Sequence, residues 1–179
     1  SIGNVGYALV GLAAATPDGV RGVLVYMAIY VVMTLGAFAC ILCMKVHDRM
    51  VEDISDLAGL SKTRPAIAFW LAVFMFSMAG IPPLAGFFGK LYVFMAAVDA
   101  GLITLAVIGV LTSVASAFYY MRIVKVMYFD EPAEAFDADS GRGLSMVMAS
   151  TGTAILVLFP FVGVLVDAAA KAAASLGTK

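Results

Sequence analysis

The sequence predicts an all-α fold, a polytopic membrane helix bundle of about five transmembrane helices with the third one broken. Three observations carry this. Of 179 residues, 63% are hydrophobic and 13% charged, where soluble domains run at about 45–50% apolar and about 25% charged. Mean hydropathy is +1.03; a soluble chain of this length cannot bury so much apolar surface, so lipid or partner helices must cover it. The charges gather between long uncharged runs, and one run is too long for a single crossing and contains Pro82-Pro83.

The elements follow in order. Helix A (1–16) is uncharged and slightly short for a span. It opens Ser1-Ile2-Gly3-Asn4, with no Met and no basic stretch, which reads as the middle of a longer protein and not as a signal peptide. Pro17-Asp18-Gly19-Val20-Arg21 reads as a turn. Helix B (22–44) has no charge, and helix C (65–98) has one, Lys90. A short loop at Asp99-Ala100-Gly101 leads to helix D (100–125), and helix E covers 143–170. Each run from B to E supplies the roughly 20 apolar residues a crossing needs. No internal repeat interrupts what reads as a single membrane domain, the C-terminal part of a longer protein.

The loops give an orientation in an inner membrane. Loops 45–64 and 122–142 share one side and carry seven Lys/Arg; the other side, with the tail, carries three. The positive-inside rule puts 45–64 and 122–142 in the cytoplasm and the C-terminus in the periplasm.

Helix C is the informative one. Its 34 residues would measure about 51 Å as a straight helix, against about 30 Å of hydrocarbon. Tilt absorbs only part of the excess. Pro82 and Pro83 remove two backbone donors and clash with the preceding turn, and Gly80, Gly86 and Gly89 loosen the backbone. A break near 80–86 follows. Irregular backbone at that depth is tolerated where protein or a hydrated cavity surrounds it, a device of transporters.

Lys90 lies just past that break. Snorkelling would require its side chain to pass Leu91 to Val98, about 12 Å of helix. A charged lysine at the bilayer centre costs about 2.5–3.5 kcal/mol on insertion scales, so it needs a partner, a hydrated path or an environment that lets it sit neutral. A lysine poised between those states takes up and releases protons; a structural ion pair is the alternative. No acid lies in the uncharged runs, so a partner carboxylate would come from elsewhere.

Two polar stripes accompany it. Tyr26, Tyr30 and Thr34 are four apart on one face of helix B, and Thr112, Ser116 and Tyr120, with Ser113 beside them, mark helix D. These residues and Ser77 are candidates for lining a water path, although Ser and Thr are also common at membrane helix contacts for their size alone. Cys40 and Cys43, in an apolar helix, read as small buried residues. With His47 the only histidine, no metal site is expected. The acidic stretch Asp130, Glu131, Glu134, Asp137 and Asp139 reads as a solvated loop. Net charge of −1 argues against nucleic acid, and no phosphate loop or nucleophile elbow occurs.

The run Ile54-Ser55-Asp56-Leu57-Ala58-Gly59-Leu60-Ser61-Lys62, then Arg64-Pro65, then Met78 through Phe94 with its core Gly80-Ile81-Pro82-Pro83-Leu84-Ala85-Gly86-Phe87-Phe88-Gly89-Lys90, resembles the subunit N family of bacterial proton-pumping NADH–quinone oxidoreductase (respiratory complex I). The resemblance covers essentially the whole chain. It implies the last five helices of a subunit more than twice as long, in an antiporter-like membrane arm. There the broken helix carries the ionisable residue of a half-channel, the position of Lys90. Where that family often has a histidine, this chain has Asn4, which does not titrate. The resemblance further implies a non-redox translocase subunit, with flavin, iron–sulfur clusters and quinone held by other subunits. Its implied partners are the other membrane-arm subunits, the remaining N-terminal helices of the same subunit, and lipid. A cation/proton antiporter subunit of related fold is the alternative, and a scaffold protein with a structural lysine is the third.

Overall fold

The computed structural model describes residues 2–46, 49–50, 53–132, 136 and 141–176. His47, Glu134, Asp137, Asp139 and Lys179 lie outside the described residues. The described elements are α1 (Ile2–Ala13), α2 (Pro17–Leu42), a hairpin of β1 (Lys45–Val46) and β2 (Arg49–Met50), a 3-10 turn (Ile54–Leu57), α3 (Leu60–Thr63), α4 (Pro65–Ala79), α5 (Ala85–Asp99), α6 (Ile103–Phe129) and α7 (Arg142–Leu176). The fold is an all-α membrane bundle. α2, α6 and α7 are each long and apolar enough to cross a membrane. The third span is divided between α4 and α5, of 15 residues each.

Several boundaries differ from expectation, each for a local reason. The stretch Pro17 to Arg21 is not a turn but the first turn of α2. Thr16 caps it, its hydroxyl accepting from the Gly19 amide at 3.0 Å; Pro17 takes the N1 position and Asp18 sits in the first turn, all favourable at a helix start. Between α5 and α6 the chain turns at Ala100–Leu102, with Gly101 at φ 79°. Helices α6 and α7 both run past the ends of their uncharged segments. The hairpin pairs Lys45 with Met50 and Val46 with Arg49, a two-residue ladder that no alternation in the sequence announces. The loop after it is tied down where the Gly59 amide donates to the Val126 carbonyl at 3.2 Å, which docks it on the end of α6.

Helix α2 is the central post, packed against α1, α4, α5 and α7. Glycines let neighbours approach it: Gly22 faces the backbone of Tyr92 and Val93, and Gly36 lies under the Phe74 ring. Close approach over small residues is how membrane helices associate, since lipid supplies no hydrophobic drive between them. The outer faces are apolar instead of polar. Ile103, Val107, Leu111, Val114 and Phe118 of α6, and Met146, Val157, Phe161 and Val164 of α7, are exposed.

Candidate functional site

The break is built by the residues on its two sides. At the end of α4, Gly80 adopts φ 85°, a left-handed conformation that costs glycine nothing. Its amide donates to the Ser77 carbonyl at 3.0 Å and the Ile81 amide to Phe76 at 3.1 Å. Those two bonds form a Schellman cap. They satisfy the carbonyls of Phe76 and Ser77 and leave Met78 and Ala79, which have no intrahelical partner at a helix end. Lys90 Nζ takes both, donating to Met78 at 2.8 Å and to Ala79 at 3.3 Å. The lysine thereby completes the cap of the half-helix that precedes its own, with its positive charge at the negative end of the α4 dipole.

Lys90 itself is 6% exposed. Its side chain tilts toward the N-terminus of α5, as helical side chains do, and its stem passes the space that a Cβ on Gly80 would narrow to 3.2 Å. A third hydrogen bond goes to Ser113 Oγ of α6 at 2.8 Å. The ammonium also stands 4.9 Å from the centroid of the Tyr7 ring, within cation–π range. Lys90 is therefore held by α4, α6 and α1 at once, and no carboxylate is among these partners.

Further polar groups continue toward the α6 C-terminus. Tyr7 Oη lies 3.5 Å from Ser116 Oγ. Tyr26 Oη donates to Asn4 Oδ1 at 2.9 Å, and Asn4 Nδ2 reaches Tyr120 Oη at 3.4 Å. Tyr30 stacks on Tyr26 at 6.1 Å. The structure so brings Tyr26, Tyr30, Ser113, Ser116 and Tyr120 into one cluster with the lysine, through α1 and α6. It does not bring Thr112, Thr34 or Ser77 into that cluster. Thr112 is exposed on α6 and bonds its own helix at Gly109. The buried Thr34 hydroxyl has no partner among the described residues. Ser77 is fully buried, donating to Met33 Sδ at 3.0 Å and accepting from the Gly86 amide at 3.1 Å. Gly86 accordingly sits in α5, outside the break. Tyr7 is a site residue that reasoning by uncharged runs overlooks, and Asn4 stood out only through the family resemblance; their spacing of three on α1 places them on one face.

The outer side of the break differs. Ile81, Pro82, Pro83 and Leu84, with Phe69, Phe76, Val124 and Tyr128, line an apolar crevice of about 680 Å³. Irregular backbone thus faces lysine inward and apolar side chains outward.

A family model described as NADH:quinone oxidoreductase/Mrp antiporter, TM, matches residues 1–116. The chain belongs to this family. As a member of it, the chain is 59% identical to NADH-quinone oxidoreductase subunit N of Rhodospirillum rubrum, over 98% of this chain and 36% of that protein. It is 61% identical to the subunit N of Beijerinckia indica, over 98% of this chain and 37% of that protein. The chain therefore spans about a third of the length of the curated relatives it matches. Among solved structures, it resembles respiratory complex I from Thermus thermophilus with bound aureothin, with a TM-score of 0.76 at 29% identity, over 90% of this chain and 36% of that one. It shares its fold with a chain of the Mrp complex from Dietzia sp. DQ12-45-1b, with a TM-score of 0.82 at 22% identity, over 98% of this chain and 41% of that one. In this chain the freed carbonyls at the end of α4 hold the lysine of α5.

Proposed function

We propose that the chain is the C-terminal portion of a proton-translocating membrane-arm subunit of NADH–quinone oxidoreductase, lying as one membrane domain in the bacterial inner membrane, with Lys90 as the proton-carrying group. The observation that carries this is the seat of Lys90. The carbonyls of Met78 and Ala79 only accept hydrogen bonds, so they favour the ammonium. The Ser113 hydroxyl donates or accepts. It accepts from the ammonium and donates to the lone pair of the neutral amine, so it serves the lysine before and after the proton leaves. Tyr26, Tyr30 and Ser116 support a hydrated approach to the lysine; Thr34 and Thr112 are better read as packing and helix-surface groups, and Ser77 sits at the α4–α5 junction, away from that approach.

In this reading the chain does no redox chemistry. Quinone reduction takes place in other subunits, which hold flavin and iron–sulfur clusters, and its energy reaches this subunit through the membrane arm. The other membrane-arm subunits, the remaining helices of the same subunit and lipid are its partners and cover the exposed apolar faces of α6 and α7. A subunit of a cation/proton antiporter is the second reading, favoured by the family description that the two share. Identities of 54–61% with subunit N relatives favour the first. The experiment is purification of the tagged full-length subunit from its own membranes in mild detergent. The proposal expects flavin, iron–sulfur signals and NADH–quinone activity in the eluate. Membrane subunits alone, without NADH oxidation, would point to the antiporter.

Orientation is part of the proposal: residues 45–64 and 122–142 face the cytoplasm and the C-terminus the periplasm. A single cysteine at Ser61 should resist an impermeant maleimide on intact cells and one at Ser175 should react. The opposite pattern would reverse the assignment.

A further inference from the structure

We infer that Ser77 and Gly86 form a clamp across the break that sets where Lys90 places its ammonium, which makes Ser77 a positioning residue for proton transfer. This rests on Lys90 carrying the proton. The last turn of α4 has two tasks. Met78 and Ala79 offer their carbonyls to Lys90 Nζ at 2.8 and 3.3 Å. Ser77, one residue earlier, holds α5 itself. Its hydroxyl accepts from the Gly86 amide at 3.1 Å, one of the amides that a helix start leaves unpaired. The α5 cap residue, Leu84, makes no side-chain capping bond, so Ser77 supplies from the preceding half-helix what an N-cap serine usually supplies locally.

The clamp is tight and oriented. The Ser77 hydroxyl proton goes to Met33 Sδ at 3.0 Å, which turns an oxygen lone pair toward α5 and ties the junction to α2. Gly86 lies so close that a Cβ there would collide with the Ser77 carbonyl oxygen. Gly86 and Lys90 are four apart, one turn along the same face of α5. Fixing Gly86 against Ser77 therefore fixes the height at which Lys90 meets Met78 and Ala79. Without the clamp, the first turn of α5 loses its tie to α4, and the ammonium is held less closely between those carbonyls and Ser113.

The test uses the full-length subunit in its own complex, with subunit content checked by immunoblot. Ser77→Ala removes the acceptor, and Ser77→Cys keeps the side-chain shape with a bulkier, weaker acceptor. Both should lower proton pumping, the alanine variant by about fivefold, the size expected for one lost hydrogen bond. In a Lys90→Met background, Ser77→Ala should add nothing, because the clamp acts through the lysine. If the alanine variant does not assemble, the cysteine variant carries the comparison. Wild-type pumping by Ser77→Ala, or by Ser77→Cys at normal assembly, would overturn the clamp, as would effects of Ser77 and Lys90 substitutions that multiply. Full pumping by Lys90→Met alone would instead overturn the reading on which the clamp rests.

Discussion

Two spans of this chain contain proline in their interior, and they respond to it in opposite ways. The third stops at Ala79 and resumes at Ala85, whereas α7 runs unbroken from Arg142 to Leu176 through Pro160. A single proline removes one hydrogen bond and strains one turn, a cost of about 3 kcal/mol in an ordinary helix that membrane helices absorb by small local adjustments. At the break, two prolines stand together after a glycine in a left-handed conformation, and the freed groups on both sides of it find partners. Phe76 and Ser77 close a Schellman cap, Met78 and Ala79 take Lys90, and the Gly86 amide takes Ser77. Pro160 lies on an exposed face, with no comparable set of side-chain hydrogen bonds beside it among the described residues. The difference teaches that proline permits a break in a membrane helix, and that polar partners for the loosened backbone make it stable.

That comparison breaks most readily at Gly80. Gly80→Val places a branched side chain at positive φ, at about 1–2 kcal/mol for the conformation alone, and its Cβ would stand 3.2 Å from Lys90 Cδ. Turnover of the assembled complex should fall by roughly tenfold or more, measured as NADH-driven proton pumping in membranes. Pumping near the wild-type rate would mean that the cap geometry is not what places the lysine.

A smaller effect is expected at Asn4. Asn4→Ala leaves the buried Tyr26 hydroxyl without its acceptor, a loss of about 1–3 kcal/mol. The thermal midpoint of the purified complex should drop while Lys90-dependent pumping persists at reduced rate. An unchanged midpoint would show that the α1 contacts are incidental. The smallest effect belongs to the other region. Pro160→Ala should leave pumping unchanged and the midpoint equal or slightly higher, since the helix is already continuous. A loss of pumping there would make α7 a second functional irregularity and undo the contrast.

The break was legible because its causes are local: an uncharged run too long for one crossing, adjacent prolines and a lysine just beyond them. The start of α2 lies ahead of its uncharged run because the Thr16-Pro17-Asp18 capping pattern, which tolerates Asp18 and Arg21 in the helix, sets it. Ser77, Asn4 and Tyr7 acquire partners on other helices, at Met33 and Gly86, at Tyr26 and Tyr120, and at Ser116. A four-residue spacing names a face of a helix but not what that face meets. This is why Thr34 and Thr112 shared stripes with cluster members and yet stand apart from the cluster.

The central claim is that Lys90 exchanges a proton at the break, and the most direct measurement is proton pumping and quinone reduction in membranes carrying Lys90→Met or Lys90→Arg, with subunit content checked by immunoblot. Methionine keeps most of the volume and relieves the membrane of an ammonium, so assembly should survive. Arginine keeps the charge but does not release its proton at physiological pH. The account predicts normal assembly of the methionine variant and a large loss of coupled turnover and pumping in both. Full pumping by the methionine variant, or a working arginine variant beside a methionine variant that fails to insert, would contradict it.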